Sequence, residues 1–373
     1  MALVAVDVMG GDGAPDVELD GMVAALRQSA GSGVHHDALR LVAVGDEARI
    51  RAGLAQRRAE DLGIRVVHAA QVVGMDDAPS SVVRGKTDSS MRVCFDLVKR
   101  GEAQAVVSAG NSGAMLACGL FVMGRIPWVD RPGIVTSFPT RRGHCAILDV
   151  GANVDPKGET LAQLAALGVV YARLLYGAER PRVGVLSNGS EDHKGSELTR
   201  EVDRLLRVAF ASEGDARYLG YVEGSDLFTG DVDVVVTDGF TGNVVLKACE
   251  GAAESIAALL KREVQRRWMA RLGALLMLPA FRALRRYVDY AEQGGAPLLG
   301  VRGVAIVCHG RSNAKAIKNA IGVADRFVQL GLEPQLATAI QRYRAAGSLP
   351  SSHHAESAGA AERGTERSAR EGS

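Results

Sequence analysis

At 373 residues, 47% hydrophobic, 23% charged and only 5% aromatic, the chain can bury a full α/β core and is too apolar for disorder to dominate. A formal net charge of +1 removes any global electrostatic case for nucleic acid, and apolar runs are interrupted well before the roughly 20 residues of a membrane span. Five scattered cysteines without a CxxC, and an N-terminus that runs straight into strand-like ALVAVDVMGGD, predict reduced thiols and a cytoplasmic, unsecreted protein.

In chain order, short Val/Ile/Leu-rich runs recur: LVAVD, LRLVAVG, IRVVHA, AQAVVSAG, PRVGVLSNG, VDVVVTDG and GVAIVCHG. Each ends in Gly, Asn, Asp or Ser and passes into a helical pattern. Runs that are apolar throughout, not alternating, suit parallel strands covered on both faces. PGIVTSFPT and HCAILDV, joined through Arg141, Arg142 and Gly143, read as an antiparallel hairpin set into that sheet. The expected fold is therefore α/β, a Rossmann-like, mixed but mostly parallel sheet sandwiched by helices, in one domain over 1–346. From Ile256 to Val288, Arg and Lys alternate with Leu, Met, Trp and Phe, which predicts a basic amphipathic helix and a helical hairpin with its break at Pro279. The tail over 347–373 has no aromatic residue and is expected to be disordered.

Four elbows share one chemistry: SAGNSGA (Ser108 to Ala114), SNGSEDHKGSE (Ser187 to Glu197), DGFTGN (Asp238 to Asn243) and HGRSNAK (His309 to Lys315). Glycine lets backbone approach an anion, and a helix N-terminus offers unpaired N–H groups. Singly, such residues are ordinary caps and turns; four together favour a phosphate-sized anion. Lys194, close to His193 and Glu197, and Lys315 are the cations in these loops. There is no Walker or GxGxxG pattern, so nucleotide is not expected. Asp7, Asp12, Asp149, Asn153 and Asp155 end two further strands, but no compact ligand spacing supports a metal, and no GxSxG supports a serine nucleophile.

Taken in order, VAVDVMGGDGAP, KTDSSMRVCFDLVKRGEAQAVVSAGNSGAMLA, Arg131-Pro132, LDVGANVD, KGSE, TDGFTGNVVLKACEG and HGRSNAKAIKNAI resemble the PlsX family of acyl-[acyl-carrier-protein]:phosphate acyltransferases, from Ala2 to about Ile321. The resemblance implies transfer of a long-chain acyl group from acyl carrier protein to inorganic phosphate for phospholipid synthesis, by a homodimer with no tightly bound redox cofactor. It implies a fold similar to the isocitrate/isopropylmalate dehydrogenase and phosphate acetyltransferase group. Gly13, Ser112 and Arg311 depart from the usual pattern; Gly13 cannot act as acid or base, while Ser112 keeps a hydroxyl.

On that reading Lys194 carries the phosphate charge, helped by Ser108, Asn111, Ser112, Thr241 and Asn243. His309, Asn313 and Lys315 complete the pocket or polarise the carbonyl, Glu197 is placed among the substrate-binding residues, and Asp238 orients Lys or Asn neighbours. Leu272, Leu275, Leu276, Leu278 and Phe281 either meet a bilayer, with Arg266, Arg267, Arg271, Arg282, Arg285 and Arg286 at anionic headgroups, or pack at the dimer interface, and the basic residues equally suit the acidic surface of acyl carrier protein. The resemblance further suggests cytoplasmic protein held peripherally at the membrane, in transient contact with a membrane glycerol-3-phosphate acyltransferase. Two alternatives remain: a phosphate acetyltransferase-like enzyme using acyl-CoA, and a non-catalytic scaffold that binds acyl carrier protein.

Overall fold

A computed structural model describes residues 2–31, 39–191, 193–211, 214–282 and 294–345. The tail and the last part of the basic segment, including Arg285 and Arg286, lie outside the described residues. Eleven strands form one sheet: β1 (Leu3–Asp7), β2 (Arg40–Gly45), β3 (Arg65–His68), β4 (Ala105–Ser108), β5 (Gly133–Thr140), β6 (Gly143–Leu148), β7 (Arg182–Leu186), β8 (Arg217–Val222), β9 (Val234–Val236), β10 (Ala296–Leu299) and β11 (Val304–Val307). Their order is β3-β2-β1-β4-β11-β10-β5-β6-β9-β7-β8.

The apolar runs are buried on both faces, as continuous hydrophobicity requires. Val4, Val6, Leu41 and Ala43 belong to one core cluster, and their neighbours Ala5, Val42 and Val44 to the other. The first cluster takes in side chains of α1 (Asp16–Gly31), α2 (Glu47–Gln56), α6 (Gly158–Tyr176), α7 (Glu197–Ala209), α10 (Ala314–Gln329) and α11 (Leu332–Ala345). The second takes in α3 (Pro79–Arg84), α4 (Ser90–Lys99) and α5 (Ser112–Cys118). All five cysteines are free; Cys94, Cys118, Cys145 and Cys308 are buried, and burial pushes the Cys118 and Cys308 thiols up to about 12. The four buried thiols are core residues with raised pKa, unsuited to act as nucleophiles.

Direction divides the sheet. β3, β2, β1, β4 and β11 run parallel, β10 and β5 are antiparallel to their neighbours, and β6, β9, β7 and β8 run parallel again. Three reversals leave the second block antiparallel to the first. Within each block the strand ends are level: Asp7 and Val307 both pair with Ser108, and Leu148 and Val185 both pair with Val236. Level strand ends make their loops emerge together, giving two groups of elbows.

The hairpin is present as β5 and β6, whereas β8 and β10 are additions to the expected strands. β8 is an edge strand with a register shift opposite it, and β10 contains Pro297; neither is an uninterrupted apolar run. The basic segment also differs from expectation. It continues α8 (Gly239–Arg266), which starts at the DGFTGN elbow. The break falls at Arg267, whose extended backbone separates α8 from α9 (Trp268–Leu276), not at Pro279. Pro279 sits in the first turn of helical residues 278–282, where a missing N–H is tolerated.

Candidate active site

The first group of elbows follows β1, β4 and β11. Ser108 is buried; its hydroxyl donates to Asp7 Oδ2 at 2.7 Å and accepts from the Gly110 N–H at 3.0 Å. The loops touch where both carry glycine: a Cβ on Gly10 would lie 2.5 Å from Asp7 Oδ2 and 3.0 Å from Gly110 N. Burial raises the Asp7 carboxyl in spite of its hydrogen bonds. Beneath this contact lies Glu18, a residue the elbow motifs do not reveal. It is 1% exposed, its Oε2 has no hydrogen-bond partner among the described residues, and burial pushes its carboxyl up to about 7. A Cβ on Gly11 would meet its Oε1 at 2.3 Å.

Asn111 caps α5 through its side-chain oxygen, which accepts from Ala114 N at 3.0 Å. Its amide donates to Met75 O at 2.8 Å and Asp77 O at 3.1 Å, pinning the loop after β3. Lys86 steadies the same loop by donating to Asp77 and to Val72 O. Asn313 caps α10 in the same way, accepting from Ala316 N at 3.0 Å. Asn111 and Asn313 thus shape helix starts, while Ser112 stands exposed at the first position of α5. Asp12 N–H donates to Gly310 O at 2.9 Å, joining the β1 and β11 elbows beside His309, Arg311 and exposed Lys315.

The second group follows β6, β9 and β7. Asp149 is fully buried and accepts from the N–H groups of Ile134, Gly151, Ala152 and Asn153 and from Asn153 Nδ2. Burial pushes its carboxyl up and these donors pull it down. The oxygens are filled by N–H donors, so Asp149 organises a loop and offers little to a cation; among the described residues no set of three His, Cys, Asp or Glu gathers for a metal. α8 starts hard against that loop. A Cβ on Gly242 would lie 1.9 Å from Asp149 O, one on Gly239 2.7 Å from Asn153 O, and Gly239 N–H donates to Asn153 O at 2.7 Å. The glycines of DGFTGN therefore admit neighbouring backbone. Asp238 caps α8, accepting from Thr241 N at 2.8 Å and Thr241 Oγ1 at 2.7 Å, so both side chains engage each other. Half-buried Asn243 lies beside Gly151, and its amide makes no hydrogen bond among the described residues.

In the loop after β7, Asn188 Oδ1 accepts from Gly195 N at 3.0 Å and Gly195 has φ +84°. Half-buried Lys194 lies over Gly189, where a Cβ would meet its Cγ at 3.0 Å, and its ammonium has no carboxylate partner among the described residues. Glu197 is exposed at the first position of α7. Lys194 and Asn243 thus rise from neighbouring strands, Asn111, His309, Asn313 and Lys315 from the other group. One helix links the two: α8 leaves the β9 elbow and brings Glu250 Oε1 to 3.6 Å from His309 Nε2 and Glu254 Oε1 to 3.4 Å from Arg311.

In an open α/β sheet the loops at the carboxyl ends of the strands are where ligands bind, and here those loops are the polar elbows. Among solved structures the fold is similar to a phosphotransacetylase from Streptococcus pyogenes (TM-score 0.59, 16% identity, 88% of this chain and 94% of that one). It is also similar to the EutD phosphotransacetylase from Staphylococcus aureus (TM-score 0.54, 16% identity, 87% and 93%). The family model described as fatty acid synthesis protein matches residues 2–334. Phosphate acyltransferases from Syntrophotalea carbinolica and Geobacter sulfurreducens are 51% and 52% identical, over 90% of this chain and 96% and 93% of theirs. The chain belongs to this family of acyltransferases, the PlsX family.

Proposed function

We propose that the protein transfers a long-chain acyl group from acyl carrier protein to inorganic phosphate, releasing the carrier thiol and an acyl phosphate for phospholipid synthesis. The observation that carries this reading is identity near one half to phosphate acyltransferases along 90% of the chain. A phosphate oxygen attacks the thioester carbonyl, the new O–C bond replaces the C–S bond, and the thiolate leaves with the carrier and takes up a proton. Thiolate is a good leaving group, so positioning and charge stabilisation supply most of the rate.

The geometry supports a division of roles. Lys194 and Asn243, side chains without competing partners, neutralise and grip phosphate; Ser112 and Lys315 stand on the other group of elbows, and their part in holding substrate rests on the family resemblance. His309 polarises the carbonyl. Ser108, Asn111, Asp238, Thr241 and Asn313 act through the loops and helix starts they hold, and Glu197 is placed near substrate at the first position of α7. The apolar side chains of α9 support peripheral membrane contact by a cytoplasmic homodimer: Trp268, Met269, Leu272, Leu275 and Leu276 are all more than half exposed beside Arg266, Arg267 and Arg271. Leu278 is exposed and Phe281 half-buried in the helical residues that follow. No helix among the described residues is long and apolar enough to cross a membrane. An acyl phosphate left at the surface would suit a membrane glycerol-3-phosphate acyltransferase.

The test is phosphate-dependent release of free thiol from acyl carrier protein with detection of acyl phosphate, run in parallel with acyl-CoA. Release only from acyl-CoA would remove the carrier protein as donor, and release without phosphate would make the enzyme a thioesterase.

A further inference from the structure

The β11 elbow is where both blocks of the sheet meet. From the first block come the Asp12 N–H, donating to Gly310 O, and Met75, whose Cε lies 2.5 Å from where a Gly310 Cβ would be. From the second comes α8, whose Glu250 and Glu254 stand four residues apart on one helix face and pair with His309 and Arg311. Exposed ion pairs contribute little to folding. Two in succession on one face of α8 set that helix against the β11 elbow.

We infer that Glu250 is a positioning residue for the acyl transfer, aiming the His309 imidazole at the space toward which Asn243 is carried on the same helix. Asn243 precedes Glu250 by seven residues, about 10 Å along the axis, so the carboxylate that orients His309 and the amide that grips phosphate move as one body. This rests on the reading of His309 and Asn243 given under Proposed function. Among the described residues the charged groups near His309 include Glu250 and Glu254 from α8, Arg311 in its own loop and Asp12 from the β1 elbow.

The experiment joins a titration to a rate profile. The His309 imidazole of the full chain is followed by NMR with labelled histidine, assigned by His309→Gln, in wild type, Glu250→Gln, Glu250→Asp and Glu254→Gln. Phosphate-dependent thiol release is measured for the same proteins across pH. Loss of the adjacent carboxylate should lower the His309 midpoint, and the alkaline limb of kcat should fall by the same interval. KM for phosphate should stay within about twofold, Glu250→Asp should lie between wild type and Glu250→Gln, and Glu254→Gln should shift the midpoint less. A midpoint unmoved by Glu250→Gln overturns the pairing. A midpoint that moves while the rate profile stands still overturns the positioning role and places the fault in the assignment of His309 to the chemistry.

Discussion

Glu18→Gln should stabilise the protein at alkaline pH and do little at acid pH. Glu18 is 1% exposed, one of its oxygens is unpartnered among the described residues, and its carboxyl is raised from 4.5 to about 7, chiefly by burial and then by the Asp7 charge. Asp16 on its own helix adds to the push, and Cys308 feels Glu18 in turn. A raised carboxyl leaves stability intact below its unfolded value and erodes it as pH climbs through the folded value. A shift of this size costs about 3 kcal/mol once ionisation is complete, of which about 2.5 kcal/mol accrues between pH 5 and pH 8. With an unfolding entropy of about 2.1 cal/mol/K per residue over about 340 residues, that difference is about 3 to 4 °C in Tm. Glutamine keeps an acceptor for the Gly11 N–H and cannot ionise. Thermal unfolding of both proteins at pH 5, 6, 7 and 8 should give a Tm gap that opens with pH; a gap that is constant or closes would refute the account of Glu18 as a buried, neutral-range acid.

Lys194→Ala should lower kcat/KM for phosphate by roughly tenfold to a thousandfold while leaving the unfolding transition in place, and wild-type turnover would remove Lys194 from the chemistry. Gly242→Ala should cost more than about 3 kcal/mol or prevent folding, because its Cβ would meet Asp149 O at 1.9 Å; a soluble variant with wild-type Tm would contradict the close approach. Asn111→Ala should cost about 1 to 2 kcal/mol through the lost α5 cap and freed 74–77 loop, read by urea unfolding together with faster proteolysis near that loop. Leu275→Glu, 66% exposed, should abolish flotation with anionic liposomes and keep soluble-phase turnover; unchanged flotation would speak against insertion.

The strands were legible where burial on both faces wrote itself as unbroken Val, Ile and Leu. Edge strand β8, with Arg217 and Gly220 in it, and short β10 carry no such signature, so their existence depends on neighbours distant in sequence. The elbows were legible as polar strand ends but their chemistry was not. Asn and Asp look alike whether they hold a ligand or a helix start, and the contacts show Asn111, Asn313 and Asp238 capping, with Asn243 and Lys194 left open. The glycines of DGFTGN were read as room for an anion; Gly239 and Gly242 make room for the Asp149 to Asn153 backbone. Glu18 was invisible because an acid in the first turn of a helix is ordinary at the surface, and only three-dimensional packing puts this one inside.

Helix α8 carries a mechanical consequence. Its 28 residues make a rod about 42 Å long, clamped at one end by Gly239 and Gly242 and followed at the other by the exposed apolar turns of α9. Tilting such a rod by about 5° about its clamped end displaces Glu250, about 16 Å along it, by about 1.4 Å. A small rotation of α8 is therefore felt at the β11 elbow, where Glu250 and Glu254 meet His309 and Arg311.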